Sequence, residues 1–129
     1  MELHGKNIME KKFKKILIIG ASSDIGIDTC KKFLENNWEI TAHFNTNNRE
    51  LKNLKKKYKS KIHLLKIDLK NIYTLEKYLN KNKKKFFKFD ALINLSGYFK
   101  SKNFQNFNIK DLYDHFNANS FSTLLFLKI

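Results

Sequence analysis

The fold is decided by residues 15–27, which read KILIIGASSDIGI. Ile16 to Ile19 form an apolar run without polar alternation, which predicts a strand that is buried on both faces of a sheet. Gly20 ends this run, and a helical pattern begins near Ile25. A buried strand, a glycine turn and a helix open many nucleotide-binding βαβ units, although the same turn also occurs in α/β domains that bind nothing.

The turn itself has the chemistry of an anion site. Three consecutive side chains, Ser22, Ser23 and Asp24, offer oxygens that can cap the helix. A glycine turn lets the backbone approach a phosphate, and the helix start supplies free N–H groups and the positive end of the helix dipole. The residues predicted to bind a ligand here are Gly20, Ser22, Ser23, Asp24, Ile25 and Gly26.

The rest of the chain alternates helices and strands. After the first strand, the predicted strands are Trp38 to Phe44, Ile62 to Leu69 and Ala91 to Leu95. The predicted helices are Asp24 to Asn36, Arg49 to Tyr58, a helix carrying Ile72, Leu75 and Leu79, and Ile109 to Ile129. The connections are too long for hairpins, so the pattern predicts a parallel sheet with right-handed crossovers. At 129 residues, the chain (1–129) is expected to form a single domain.

Polar or glycine positions fall at or near the carboxyl end of every predicted strand. They are Gly20, His43, Asp68 and Asn94. In parallel α/β sheets, ligands bind outside these ends, at the point where the strand order reverses. The four positions therefore predict a binding site between the first and fourth strands.

Gly20-Ala-Ser-Ser-Asp-Ile-Gly26 resembles the Gly-x-x-x-Gly-x-Gly motif of the short-chain dehydrogenase/reductase family. Asp24 stands where the family has its middle glycine. The tight turn at Gly20 and the close helix packing at Gly26 remain possible, so the Asp24 side chain must point away from the phosphates or cap the helix. The resemblance runs from about Phe13 to Ile129 and implies a Rossmann-like doubly wound parallel sheet.

Two further segments carry the resemblance. Asp68-Leu69 matches the place where the family holds the adenine ring, although an aspartate at a strand end could equally cap the next helix. Asn94-Leu-Ser-Gly97 resembles the family's Asn-Asn-Ala-Gly element, in which the glycine keeps the backbone close to the nicotinamide ribose. Leu95 and Ser96 depart from that element, and a strand ending in Asn-x-Ser-Gly is also an ordinary turn.

The resemblance implies a nicotinamide dinucleotide as cofactor. The family's acidic residue for the NAD ribose is missing from residues 43–48, and Arg49 follows them. A turn without an acidic residue and with a nearby cation favours NADP(H) over NAD(H). The residues predicted to bind this part of the cofactor are His43, Asn45 and Arg49. The alternative is that they are simply turn residues.

The last helix resembles the family segment whose asparagine helps to carry a proton relay, and Asn119 aligns with it as the candidate catalytic residue. The same segment also fits an amphipathic helix that packs through Leu112, Phe116, Phe121, Leu124 and Leu125. In the family, a catalytic serine and a Tyr-x-x-x-Lys pair follow later in the chain. Tyr73 and Tyr98 match the letters of that pair here, but neither stands in the family position.

We therefore expect the front part of an NAD(P)-dependent oxidoreductase that acts on a small carbonyl or alcohol substrate, a fragment that is inactive alone. The full-length form is expected to be a homo-oligomer. One alternative is a non-catalytic dinucleotide-binding module.

Composition raises another alternative, a basic nucleic-acid binder, because the net charge is +14 and residues 98–107 mix aromatics with lysines. The excess is almost entirely lysine, with Arg49 as the only arginine, so we expect no nucleic-acid partner. The single cysteine, Cys30, excludes an internal disulfide and suits a reducing compartment. We expect no metal site, no membrane partner and a cytoplasmic location.

Overall fold

The computed structural model describes residues 12–86 and 88–128. Residues 1–11 and the predicted last residue of the final helix, Ile129, lie outside the described residues. No helix within the described ranges is long and apolar enough to cross a membrane.

Four parallel strands form one sheet, in the order β3-β2-β1-β4. Their bounds are β1 (Lys15–Ile19), β2 (Glu39–Phe44), β3 (Ile62–Lys66) and β4 (Ala91–Asn94). The predicted parallel α/β sheet is confirmed, and the strand order reverses between β1 and β4. The third strand is shorter than predicted, since it ends at Lys66 instead of Leu69.

The helices lie between the strands and after β4. They are α1 (Asp24–Glu35), α2 (Arg49–Tyr58), α3 (Ile72–Lys81), the short α4 (Lys83–Phe86), α5 (Ile109–Phe116) and α6 (Ser122–Lys128). A π-helical segment, Asn117–Phe121, joins α5 to α6. The single long helix predicted from residue 109 onward is therefore two α-helices with a wider turn between them.

The central strand β1 is shared by two apolar layers. Ile16 and Ile18 face the layer that contains residues of α1 and α2, whereas Leu17 and Ile19 face the layer with α3 and α6. All four side chains are at most 1% exposed. This two-sided burial is why the strand has no polar alternation.

The prediction of which residues of the last helix pack against the core is mostly wrong. Leu112, Phe116, Phe121 and Leu124 are between 45% and 61% exposed, and Leu125 alone of the predicted set packs against the core. The buried positions of the segment are Ala118, Ser122 and Phe126, together with Asp111 near its start. Two of the buried positions carry the small residues Ala118 and Ser122, whereas most of the large apolar side chains of the segment remain exposed.

Candidate cofactor-binding site

A cleft of about 300 Å³ opens at the carboxyl ends of the strands, where the sequence predicted it. It is bordered by the turn after β1, the ends of β2 and β3, and the loop after β4. The predicted site residues that line it are Gly20, Ser22, Ser23, His43, Asn45, Asp68, Leu69, Leu95, Ser96 and Gly97. The predicted residues that do not line it are Asp24, Ile25, Gly26, Arg49, Asn94 and the candidate catalytic residue Asn119.

Gly20 is required by both its conformation and its surroundings. Its φ of +75° is a left-handed conformation that side chains disfavour. A Cβ at this position would lie 2.7 Å from the Ser96 nitrogen and 2.8 Å from the Leu95 carbonyl carbon. The turn after β1 therefore touches the backbone of the loop after β4, and both segments line the cleft.

His43 fixes the same turn from the β2 side. Its Nδ1 accepts the Gly20 N–H at 3.1 Å, so Nε2 carries the proton and donates to the Ile67 carbonyl at 2.9 Å. Burial lowers the pKa of His43, and the hydrogen bond to the Ile67 carbonyl and the charge of Asp68 oppose this effect only in part. The lowered pKa keeps the imidazole neutral. Both ring nitrogens are used within the protein, so His43 positions the glycine turn and offers no polar atom to a ligand.

The start of α1 is capped by Ser23. Its Oγ donates to the Gly20 carbonyl at 3.0 Å and accepts the Gly26 N–H at 3.1 Å. Asp24 follows the capping residue, and its side chain is exposed. It therefore neither caps the helix nor lines the cleft. The first intrahelical bond is from Ile27 to Ser23, so the N–H groups of Asp24 and Ile25 have no intrahelical acceptor.

Gly26 acts through packing. A Cβ there would lie 2.6 Å from the Gly20 oxygen and 2.7 Å from the Ala21 Cα. These are backbone atoms of the turn itself, so α1 can leave the turn at this angle only with a glycine at position 26.

Asn94, at the end of β4, is engaged inside the protein. Its Oδ1 accepts the Ser96 N–H at 2.9 Å and the Ser96 hydroxyl at 2.6 Å, and its Nδ2 donates to the Thr123 hydroxyl at 2.6 Å. Gly97 is different, because a Cβ at this position would meet no protein atom within 4 Å. Neither packing nor a positive φ requires this glycine, and it lines the cleft.

The Asp68 carboxylate accepts the Lys70 N–H at 3.0 Å and so shapes the turn after β3. The alternative that Asp68 caps the next helix is wrong, because Asn71 caps α3 by accepting the Thr74 N–H at 3.1 Å. Asp68 is exposed and lines the cleft.

Arg49 begins α2 and is exposed, and its backbone N–H donates to the Asn47 side chain at 3.2 Å.

Four lining residues were not among the predicted site residues: Phe44, Lys70, Tyr98 and Ala118. Lys70 and Tyr98 meet across the cleft, with the Lys70 Nζ 5.2 Å from the centre of the Tyr98 ring. The backbone of each is held by an asparagine after α5. Asn117 donates to the Lys70 carbonyl at 3.0 Å, while Asn119 accepts the Tyr98 N–H at 2.7 Å and donates to its carbonyl at 2.9 Å. The candidate catalytic side chain therefore clamps the wall of the cleft.

The chain belongs to the short-chain dehydrogenase family, whose model matches residues 14–129. Within the described residues, no group of three or more His, Cys, Asp or Glu side chains is placed to hold a metal ion.

Solved structures of this fold are similar at low sequence identity. ElxO with NADP bound is 24% identical, with a TM-score of 0.71 over 91% of this chain and 48% of its own. A short-chain dehydrogenase from Streptomyces avermitilis is 18% identical, with a TM-score of 0.77 over 93% of this chain and 44% of its own. An NADPH-bound carbonyl reductase from chicken fatty liver is 18% identical, with a TM-score of 0.72 over 91% of this chain and 46% of its own.

These likenesses support the fold, and the chain spans about half the length of the structures it matches. No curated protein sequence matches the chain.

Proposed function

We propose that residues 1–129 form a dinucleotide-binding domain that takes NADP(H) in preference to NAD(H), as the cofactor-binding part of a short-chain-type oxidoreductase. The observation that carries the proposal is the cleft at the carboxyl ends of β1 and β4, between the Gly20 turn and Gly97. Family membership and the NADP(H) found in two similar structures support it.

The residues present fit such a cofactor. The free N–H groups at the start of α1 and the dipole of this twelve-residue helix suit a pyrophosphate. The open space in front of Gly97 leaves room for a ribose against the backbone. The exposed Asp68 carboxylate and buried Leu69 suit the amino group and the face of an adenine.

The nicotinamide, when bound, would supply a hydride to a small carbonyl compound or, in the reverse direction, accept one from the corresponding alcohol. In the described residues this chain's part is to bind and orient. Asn119 holds the cleft wall through Tyr98, and Lys102, the lysine four positions after Tyr98, is paired with Asp111 at 2.6 Å. Tyr73, the other tyrosine with a lysine four positions on, is 82% exposed on α3. We expect saturable cofactor binding without turnover, and a homo-oligomer for the full-length form.

The preference for NADP(H) is tested by titrating NADPH and NADH separately into the folded chain at pH 7.5. We expect NADPH to bind about tenfold more tightly, the effect of one additional charge-assisted hydrogen bond to the 2′-phosphate. Arg49→Gln should remove most of this difference and leave NADH binding unchanged. Equal or tighter binding of NADH contradicts the preference, and failure of both cofactors to bind contradicts the proposed function.

Asp24 gives a prediction with the opposite sign. Replacement with asparagine keeps the shape of the side chain and removes a negative charge next to the proposed pyrophosphate. We expect Asp24→Asn to bind NADPH about two- to fivefold more tightly at low salt, with the gain shrinking as salt rises. Asp28→Asn is the matched control, because Asp28 lies one helical turn farther along α1. An affinity gain that is equal in the two variants would show that the position of the charge does not matter.

A further inference from the structure

Three side chains spaced four residues apart hold one loop against the helix that follows it. The loop is residues 98–108, named here the β4–α5 loop, and the side chains are Asp111, His115 and Asn119. Its first residue, Tyr98, lines the cleft. Asn119 clamps Tyr98 directly, so Asp111 and His115 act farther along the loop.

Asp111 fastens the loop by charge. Its buried carboxylate accepts from the Lys102 ammonium at 2.6 Å, from Lys100 at 3.3 Å and from the Asn108 N–H at 3.2 Å. The Lys102 hydrogen bond, together with Asn108 and Lys100, lowers the pKa of Asp111 to about 2 against the effect of burial. Asp111 therefore keeps its charge, and its grip on the loop, throughout the neutral and mildly acidic range.

His115 fastens the loop in only one protonation state. Its Nδ1 lies 2.6 Å from the Asp111 carbonyl, an acceptor, so Nδ1 carries the proton. Its Nε2 lies 3.2 Å from the Lys100 nitrogen, whose N–H is a donor, so Nε2 must offer a lone pair. A second proton, on Nε2, would point at the Lys100 N–H and replace this hydrogen bond with a repulsive contact.

The charged groups around His115 come from three elements. The β4–α5 loop brings Lys100 and Lys102, and its Tyr98 ring packs edge-to-face with the imidazole at 5.0 Å between the ring centres. The helix itself brings Asp111 and the Lys110–Asp114 ion pair, and the turn after β3 brings Lys70 through its contact with Tyr98. The uncharged rings of Phe99 and Phe107 also pack against the His115 imidazole. Asp111 is already paired with two lysines. Histidine is the side-chain type whose charge most readily changes at mildly acidic pH.

We propose that His115 is a positioning residue that holds the β4–α5 loop, and with it the Tyr98 wall of the cleft, only while its imidazole is neutral. Protonation breaks the hydrogen bond from the Lys100 backbone N–H to Nε2, while Asp111 keeps its pairing with the side chains of Lys100 and Lys102, and the loosened wall weakens binding of a nicotinamide dinucleotide. The consequence for binding rests on the proposed function, whereas the loss of the Lys100 hydrogen bond does not.

Three proteins test the proposal: the wild type, His115→Gln and His115→Leu. Glutamine keeps an acceptor near the Nε2 position that does not titrate, and leucine removes the acceptor. The first measurement is hydrogen exchange of the Lys100 and Tyr98 amides in ligand-free protein at pH 7.5 and 5.5, after correction for intrinsic rates. In the wild type we expect protection of Lys100 to fall about fivefold at pH 5.5, the effect of one net hydrogen bond. In His115→Gln protection should stay constant, and in His115→Leu it should be low at both pH values.

The second measurement is the affinity for NADP⁺, which is stable in mild acid. We expect a loss of about fivefold from pH 7.5 to 5.5 in the wild type beyond the loss in His115→Gln. Parallel pH slopes in these two proteins would overturn the inference, as would Lys100 protection that does not depend on pH. Absence of NADP⁺ binding in all three proteins would overturn the proposed function and the consequence for binding, while the exchange data still decide whether His115 holds the loop.

Discussion

Gly26→Ala is expected to destabilise the protein by about 3 kcal/mol and to abolish dinucleotide binding. The added Cβ would sit 2.6 to 2.7 Å from three backbone atoms of Gly20 and Ala21, none of which can rotate out of the way. Either α1 moves away from β1 or the turn deforms, and both changes disturb the proposed phosphate site. Urea denaturation gives the stability, and an NADPH titration on the protein that remains folded gives the affinity.

Gly97→Ala is the matched control for this experiment. Its Cβ meets no protein atom, so stability should change by less than about 0.5 kcal/mol. The methyl group enters the space proposed for a ribose, so NADPH binding should still weaken. If Gly97→Ala binds NADPH as the wild type does, the proposed place of the ribose is wrong, and if Gly26→Ala is as stable as the wild type, the close packing described for α1 is wrong.

His43→Leu is expected to cost about 3 kcal/mol or more of the free energy of unfolding. It leaves the Gly20 N–H without its acceptor and the Ile67 carbonyl without its donor, in a part of the protein that water does not reach freely. His43→Gln, which keeps an acceptor and a donor on one side chain, should recover part of the loss. Leucine and glutamine variants of equal stability would show that shape, and not hydrogen bonding, is what the position needs.

The same residue gives the wild type a pH dependence. Burial lowers the pKa of His43 below its ordinary value of 6.5, so below that pH the unfolded chain takes up a proton that the folded chain does not. The free energy of unfolding therefore falls as the pH drops from 6.5 toward the folded-state pKa and levels off below it. Urea denaturation at pH 8 and pH 5.5 measures the fall. His43→Leu should lack this component, and a fall of equal size in that variant would assign the pH dependence to other groups.

The sequence alone was enough for the sheet and for most of the cleft. In the run from Ile16 to Ile19, the residues on both faces of the strand are apolar. This pattern fits a central parallel strand that is buried on both faces, and it does not fit a strand with one exposed face. Crossovers of helical length then leave parallel pairing as the only arrangement, and parallel strands bring all their carboxyl ends to one edge. The cleft follows from that topology, so its position did not require knowledge of any contact.

Which atoms face a ligand was decided only by the tertiary structure. His43 and Asn94 are polar residues at strand ends, and nothing local distinguishes a binding residue from a supporting one. The acceptors and donors that engage them, such as the Gly20 N–H and the Thr123 hydroxyl, are 23 and 29 residues away in the chain. Hydrogen bonds over such separations depend on the packing of the whole sheet.

The helix after β4 shows the same limit for packing. The periodicity predicted that its large apolar residues pack in the core. Hydrophobic spacing shows that a helix has an apolar face, but it does not show which face meets the sheet. In the structure the small residues Ala118 and Ser122 are buried, whereas Phe116 and Phe121 are exposed and stack on each other with ring centres 6.3 Å apart. The local sequence determined that this segment is helical, but which of its sides is buried was determined by its packing against α3 and the apolar layer that the two share.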